Sequence, residues 1–254
     1  MSQKISKTNW QKKSRRNFIV AGFTFLAGGL GLWFAETRTE EEGVPWPFRR
    51  VLSANEKIWR NIFNKNSNAE NPDAPAPGTA ARINSDIGIE TPIDLKSWRL
   101  VVSPIEDIED AKDSRNLSYT TEQLLAFPQT EHTEVFKCVE GWSQVISYKG
   151  ILFSDFMKSV KIDPKEFSYV GLATPDATYY VSIDMDSMLH PKTLLATEMN
   201  GVPLNPEHGA PLRLIIPVKY GIKNLKRIGR IFFAKNERPS DYWTEQGYDW
   251  YAGL

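Results

Sequence analysis

"NGVPLNPEHGAPLRLIIPVKYGIKNLKRI" spans residues 200–228, and its reading decides the fold. It opens on Asn200-Gly201, a dipeptide suited to the left-handed central residues of a tight hairpin. His208-Gly209 follows, then Arg213 near the head of an apolar, β-branched strand, LRLIIPV. The remainder places Lys219, Lys223, Lys226 and Arg227 around Gly221. Cations beside glycines, which let backbone approach a ligand closely, suit an anionic phosphate or pyrophosphate. A solvated basic loop has the same composition, and charge alone does not separate the two.

Outward from this block, short strands and short helices alternate without a βαβ rhythm, which predicts an α+β fold. WRLVVS (98–103), TEVFKCV (133–139), EFSYVGLAT (166–174), TYYVSID (178–184) and RIGRIFFA (227–234) read as strands. YTTEQLLAFPQTE starts a short helix at Thr120 or Thr121 that ends before Pro128, and GILFSDFMKSV (150–160) reads as another. A helical start is expected in MLHPKTLLATEM, just before the Asn200-Gly201 turn. There is no internal repeat and no dinucleotide-binding glycine fingerprint. With 254 residues the chain can hold one large domain or two small ones. The formal net charge is zero, which argues against a nucleic-acid partner. Three histidines exclude a His-rich metal cage, and one cysteine excludes an internal disulfide framework.

That cysteine, Cys138, ends a strand and precedes Glu140, Gly141, Trp142 and Ser143. Three readings are open. It is a small buried hydrophobe, or a nucleophile, for which His132 is not a convincing base. Or it is one ligand of a soft or high-valent metal whose other ligands come from a sulfur-rich organic cofactor.

The N-terminus carries a second signal. Lys12, Lys13, Arg15 and Arg16 precede an uncharged, Phe-, Leu-, Ile- and Gly-rich run from Asn17 to Ala35, closed by Glu36. A basic head before an apolar segment is a targeting element, and Ser14-Arg15-Arg16-Asn17-Phe18 matches the twin-arginine type. That route exports folded proteins, typically with a cofactor already inserted. At about 1.5 Å per residue, residues 17–35 approach the ~30 Å hydrocarbon core of a bilayer. The segment is therefore expected as a cleaved signal or a retained anchor, with the anchor favoured by the lack of a small-x-small cleavage site. Residues 1–36 form this element. Residues 37–79 are expected as a Pro-interrupted spacer, a short amphipathic helix over 53–64 and an irregular loop over 64–80. Residues 80–254 are expected as the α+β domain.

Three blocks resemble the molybdopterin-binding domain of the sulfite oxidase family, in particular its exported bacterial branch, which includes periplasmic methionine sulfoxide reductases. They are KCVEGWSQVISYKGILFSDFM (137–157), the 200–228 block, and YWTEQGYDWYAG (242–253); RINSDIGI (82–89) and HPKTLL (190–195) add to them. The resemblance implies a mixed β-sheet, sulfite-oxidase-like fold with short peripheral helices, preceded by the N-terminal apolar helix. It implies a molybdopterin cofactor with molybdenum bound by Cys138, the catalytic ligand. It implies cofactor contacts from Arg82, Asn84, Thr174, His208, Arg213, Asn224, Leu225 and Lys226. Position 208 varies in the family between His and Asn. The implied activity is oxygen-atom transfer outside the cytoplasm, reducing an S- or N-oxide or oxidising sulfite. The partners it implies are a small-molecule substrate, a membrane haem or cytochrome redox protein, and the twin-arginine translocase during export. The location is the periplasm or the outer face of the bacterial inner membrane. Two departures stand out: Tyr148 replaces a Trp common in the bacterial reductases, and residues 71–86 do not follow the reductase pattern. A membrane-tethered, non-catalytic cofactor-binding or electron-transfer module is the competing reading.

Overall fold

A computed structural model describes residues 7–62, 72–103 and 116–254. It divides into two compact units, Met1–Ala54 and Asn55–Leu254.

The first unit begins with helix α1 (Lys7–Glu36). Within it, the 22-residue stretch Arg15–Glu36 contains an 18-residue window with a mean hydropathy of 1.9, none of it buried, so length and composition suit a membrane crossing. Strands β1 (Glu40–Glu41) and β2 (Val44–Pro45) then form a small antiparallel hairpin. Helix α2 (Trp46–Ile62) starts seven residues earlier than the 53–64 helix expected from apolar spacing. The reason is local. Pro47 falls in the first turn, where its missing N–H is not needed and its fixed φ is already helical, so it starts the helix rather than interrupting a spacer. Three contacts hold this start. The Trp46 N–H donates to the Thr39 carbonyl at 3.0 Å, and Arg49 donates to the carbonyls of Glu41 and Glu42. The expected end of that helix, and residues 64–71 of the expected loop, lie outside the described residues.

The second unit holds two five-stranded sheets. One orders β5 (Thr130–Lys137), β6 (Ser143–Leu152), β9 (Leu194–Met199) and β10 (Val202–Pro203), with β11 (Arg213–Ile215) also pairing with β9. All these pairings are antiparallel. The other orders β4 (Leu117–Tyr119), β3 (Leu100–Ser103), β12 (Arg230–Ala234), β7 (Tyr169–Ala173) and β8 (Tyr180–Asp184), with β3 and β12 parallel. Four short helices decorate them: α3 (Thr121–Leu125), α4 (Phe153–Ser159), α5 (Met185–Met188) and α6 (Tyr242–Glu245). Helix α3 has the expected cap, because the Thr120 hydroxyl accepts from the Gln123 N–H while the Gln123 side chain accepts from the Thr120 N–H.

Strand alternation divides the interior. Ile151, Leu195 and Leu214 of the first sheet join Val170, Leu172, Ile231 and Phe233 of the second, with Phe153 and Phe156 of α4, in the main core. Neighbouring positions Ile146, Tyr148, Leu194, Ala196 and Ile215 point to the other face of the first sheet and make a smaller cluster. Each fully buried aliphatic side chain here contributes about 1.5–3 kcal/mol. Arg213 lies one residue from Leu214, so the same alternation turns it away from the main core, toward Tyr148.

Candidate active site

The open face of the first sheet forms one wall of a cleft. Counted out to bulk solvent, it encloses about 940 Å³ of unfilled space. Three other segments complete it: residues 81–87, the 208–226 region and the C-terminal aromatics Trp243 and Tyr248.

Cys138 follows β5 and lines the cleft while only 4% exposed. A tight loop holds it. Its N–H donates to the Trp142 carbonyl at 2.9 Å, and its carbonyl accepts from Gly141 at 3.0 Å. Gly141 takes φ +86, a left-handed geometry that suits glycine, so the turn between β5 and β6 can be this short. The Asn84 side-chain amide donates to Cys138 Sγ at 3.2 Å. Trp142 Nε1–H donates to Glu140 at 3.0 Å, and the Arg82 guanidinium lies 4.8 Å from the Trp142 ring centroid.

The segment bearing Arg82 and Asn84 reads as a loop in sequence, yet it is pinned. Gly78 N–H donates to the Asn200 carbonyl at 2.7 Å, and the Asn200 side chain donates to the Thr79 carbonyl at 2.8 Å. Gln144 on β6 donates to the Ala80 carbonyl at 3.1 Å and accepts from the Arg82 N–H at 2.9 Å. Asn200 also accepts from the Ser147 N–H at 3.0 Å. One hairpin residue thus ties this strap to the sheet.

Lys226 crosses from the opposite side. Its ammonium donates to the carbonyls of Asn84 and Ser85. Burial, with repulsion from Arg213, pulls its pKa down to about 8. Arg213 is 5% exposed, donates Nη1–H to the His208 carbonyl at 3.2 Å, and has its guanidinium 5.5 Å from the Tyr148 ring centroid. Its Nε–H has no hydrogen-bond partner. His208 ends a 3₁₀ turn (Pro206–His208) capped by Asn205. Burial and the two cations push its pKa to about 4, so it is neutral at pH 7. Asn224 accepts from the Ile216 N–H at 2.8 Å and also lines the cleft.

Seven of the expected site residues therefore meet in one place: Arg82, Asn84, Cys138, His208, Arg213, Asn224 and Lys226. Two do not line it. Leu225 is fully buried in the main core, and its carbonyl accepts from the Leu214 N–H. The Thr174 hydroxyl is engaged within its own turn, donating to Asp176 at 2.6 Å and accepting from the Tyr179 N–H at 3.2 Å.

The basic cluster expected around Gly221 also divides. Lys219 pairs with Asp184 at 3.1 Å and Lys223 with Asp241 at 2.5 Å, all four buried. Arg227 donates to the Thr91 carbonyl at 2.6 Å. Of these four cations only Lys226 lines the cleft. Buried lysines need carboxylate partners, and the sequence separation of Asp184 and Asp241 hides them.

Sequence reasoning missed the aromatic wall: Phe136, Tyr148, Tyr179, Trp243 and Tyr248 line the cleft with Trp142. Tyr179 donates its hydroxyl to the Ile222 carbonyl at 2.6 Å and accepts from Trp243 Nε1–H at 2.9 Å. Glu134 was missed as well. It pairs in register with Ile146 on the face shared by Phe136 and Tyr148, and one carboxylate oxygen has no hydrogen-bond partner. Burial, opposed by Arg213, lifts its pKa to about 7. Period-two alternation along β5 would have placed it.

A thiol, two partly desolvated cations and an aromatic wall on one cleft define a site for an anionic organic group that carries a thiolate-binding metal. The unmatched Nε–H of Arg213 fits this, because a buried donor left unpaired costs about 1–3 kcal/mol that a ligand oxygen would recover. The chain belongs to the oxidoreductase molybdopterin-binding domain family, whose model matches residues 88–243. It is a molybdopterin-dependent oxidoreductase, and the cofactor is Mo-molybdopterin. A protein of Azospira oryzae named as a subunit (YedZ1) of a protein-methionine-sulfoxide reductase is 32% identical over 245 residues, covering 94% of this chain and 88% of that protein. The protein-methionine-sulfoxide reductase catalytic subunit MsrP of Campylobacter jejuni is 32% identical over 177 residues, covering 63% of this chain and 57% of that one. MsrP of Xanthomonas axonopodis pv. citri is 33% identical over 137 residues, 49% of this chain and 42% of that one. The match therefore spans about half the length of these two catalytic subunits. Among solved structures, the sulfane dehydrogenase SoxCD of Paracoccus pantotrophus aligns with a TM-score of 0.49 and 23% identity, over 58% of this chain and 40% of that one.

Proposed function

We propose that this protein reduces a sulfoxide of the methionine sulfoxide type outside the cytoplasm, with Cys138 as the molybdenum ligand. The placement of the Cys138 thiol, Arg213 and Lys226 on one aromatic-walled cleft carries the proposal. When bound, the cofactor supplies two-electron oxygen-atom transfer. The chain's residues do the rest. Arg213 and Lys226 hold the cofactor's phosphate by charge and by the free Nε–H. His208 and Asn224 add neutral polar contacts. The Asn84 amide, donating to Sγ, withdraws charge from the thiolate and fixes its direction. Arg82, held over Trp142, sits at the mouth. The aromatic wall excludes water and receives the apolar part of the substrate, and the two relatives named as sulfoxide reductase catalytic subunits favour a sulfoxide over an N-oxide or sulfite.

Electrons come from a membrane haem or cytochrome protein, as the resemblance to the exported bacterial branch implies, and the sequence carries no motif for covalent haem attachment. Residues 1–36 act as a twin-arginine signal retained as an anchor, 37–79 as the connection and 80–254 as the catalytic domain. Lys4, Lys7, Lys12, Lys13, Arg15 and Arg16 precede the apolar run, while Arg38, Arg49 and Arg50 follow it. That asymmetry favours an outside location for the domain.

The test is Cys138→Ala, expressed with molybdate and exported. The variant is expected to keep the wild-type circular dichroism and lose molybdenum, its electron paramagnetic resonance signal and sulfoxide reduction. Full metal content and activity in the folded variant would overturn the assignment. A screen of sulfoxides, N-oxides and sulfite separates the substrate classes.

A further inference from the structure

Helix α2 has an apolar side that the described residues cover only in part. At 100° per residue, Phe48, Val51, Leu52 and Ile58 fall within an arc of about 120°, while Arg50 and Lys57 lie opposite. Val51 is 59% exposed and Ile58 53%. A stripe of that kind does not stay in water without reason.

Three observations say what covers it. First, the start of α2 is fixed to the short hairpin that follows α1, by the Trp46–Thr39 contact and by Arg49, held on the carbonyls of Glu41 and Glu42 and 3.4 Å from the Glu42 carboxylate. If α1 crosses a bilayer, only residues 37–45 separate its end from α2, and they are folded back as a hairpin. The first turn of α2 then cannot leave the headgroup layer, which adds only about 5–8 Å to each side of the hydrocarbon. Second, exposed Trp33 and Phe34 lie at the end of α1 and exposed Trp46 at the start of α2. Those positions match an aromatic belt at the membrane–water boundary. Third, apart from Arg49, which is buried and paired with Glu42, the α2 sequence carries Arg50, Lys57 and Arg60 against the single acid Glu56. A strongly amphipathic helix with a basic polar side binds in the plane of an anionic lipid surface.

We infer that α2 lies in the interfacial plane of the membrane that α1 crosses, with Phe48, Val51, Leu52 and Ile58 seated on anionic phospholipid. The inference rests on α1 being a retained anchor. Arg50 and Lys57, on the opposite side, face the water and the outer edge of the headgroup layer. Two contacts in sequence, one across the bilayer and one along it, would restrict the freedom of the chain that leaves the membrane.

The test uses the full, molybdenum-loaded chain in vesicles containing phosphatidylglycerol. Val51→Cys, Ile58→Cys and Lys57→Cys are each labelled with an environment-sensitive dye, and the wild type, whose only cysteine is buried, sets the background. Unchanged molybdenum content shows that each variant is folded. The dyes at 51 and 58 are expected to emit at shorter wavelength, to be quenched by a shallow nitroxide lipid and to be shielded from iodide. The dye at 57 should show the reverse. Iodide quenching of all three equally would overturn the proposal, as would shielding of 51 and 58 from both quenchers, which would mean that protein covers the face. Carbonate extraction of the same vesicles reads the anchor separately. A chain retained through carbonate with water-exposed dyes refutes the interfacial helix alone. A chain stripped by carbonate whose dyes sit in lipid refutes the anchor alone.

Discussion

At His208, burial and charge act in the same direction. Arg213 and Lys226 stand close to the ring, and His208 itself is 7% exposed. The folded protein therefore holds this imidazole neutral down to about pH 4, against an ordinary value near 6.5. Its stability contribution is complete above about pH 6.5 and is lost as pH falls toward 4, because only the unfolded chain readily takes the proton. The full span corresponds to an upper limit of about 3 kcal/mol. His208→Asn removes the titration. Cofactor-free wild type is expected to lose melting temperature between pH 6.5 and 4 more steeply than the variant; parallel curves would show that the ring is not held this way. Asn84 makes a different point. Its identity as a site residue was legible only through resemblance, since nothing in RINSDIGI requires its amide to reach a sulfur 54 positions away. Thr174 is the converse: its Asp176 and Tyr179 contacts are those of a turn residue, which composition alone already allowed.

At the level of elements, the strands rich in β-branched residues were visible because both of their faces are buried. EFSYVGLAT and RIGRIFFA became the inner strands β7 and β12, and TYYVSID the edge strand β8. The longest strand, β6, was not. Its Ser147, Lys149 and Gly150 break the apolar run, and its start lies in a block that reads as chemistry. Its last residues, GIL, look like the beginning of the following helix. Yet β6 carries Ile146 and Tyr148 to the cleft and Gln144 to the strap over it. Gly150 is where it meets β9 most closely: a Cβ there would lie 2.1 Å from the Leu195 carbonyl oxygen, at the register shift after Lys149. No flexible side chain can yield at that contact. Gly150→Ala is expected to destabilise the protein by about 1–3 kcal/mol or more. The urea midpoint should fall with an unchanged slope, and molybdenum retention should fall with it. A midpoint equal to wild type would mean the strands can part without loss.

At the scale of the whole molecule, the α+β class and the order of the site blocks were legible, but the split of the basic segment was not. Lys219 and Lys223 look like a phosphate cradle in one dimension and are ion pairs with Asp184 and Asp241 in three. Export belongs to this scale too. Arg15→Lys with Arg16→Lys keeps the charge and the apolar run but not the guanidinium pair. The doubly substituted chain is expected to stay on the cytoplasmic side, protected in intact spheroplasts from added protease. The wild-type catalytic domain is expected to be digested under the same conditions. Equal digestion of both would place the chain on another export route.

The cleft draws on residues 81–87, on β5 and β6, on 208–226 and on Trp243 and Tyr248. Synthesis runs the other way from need. If residues 1–36 act as the export signal proposed above, that signal leaves the ribosome long before the aromatic pair that completes the cofactor's wall. Until Trp243 and Tyr248 are made, the chain would carry an address without a finished cargo. Folded export would therefore require the signal to be kept from acting until those two rings have closed the cleft.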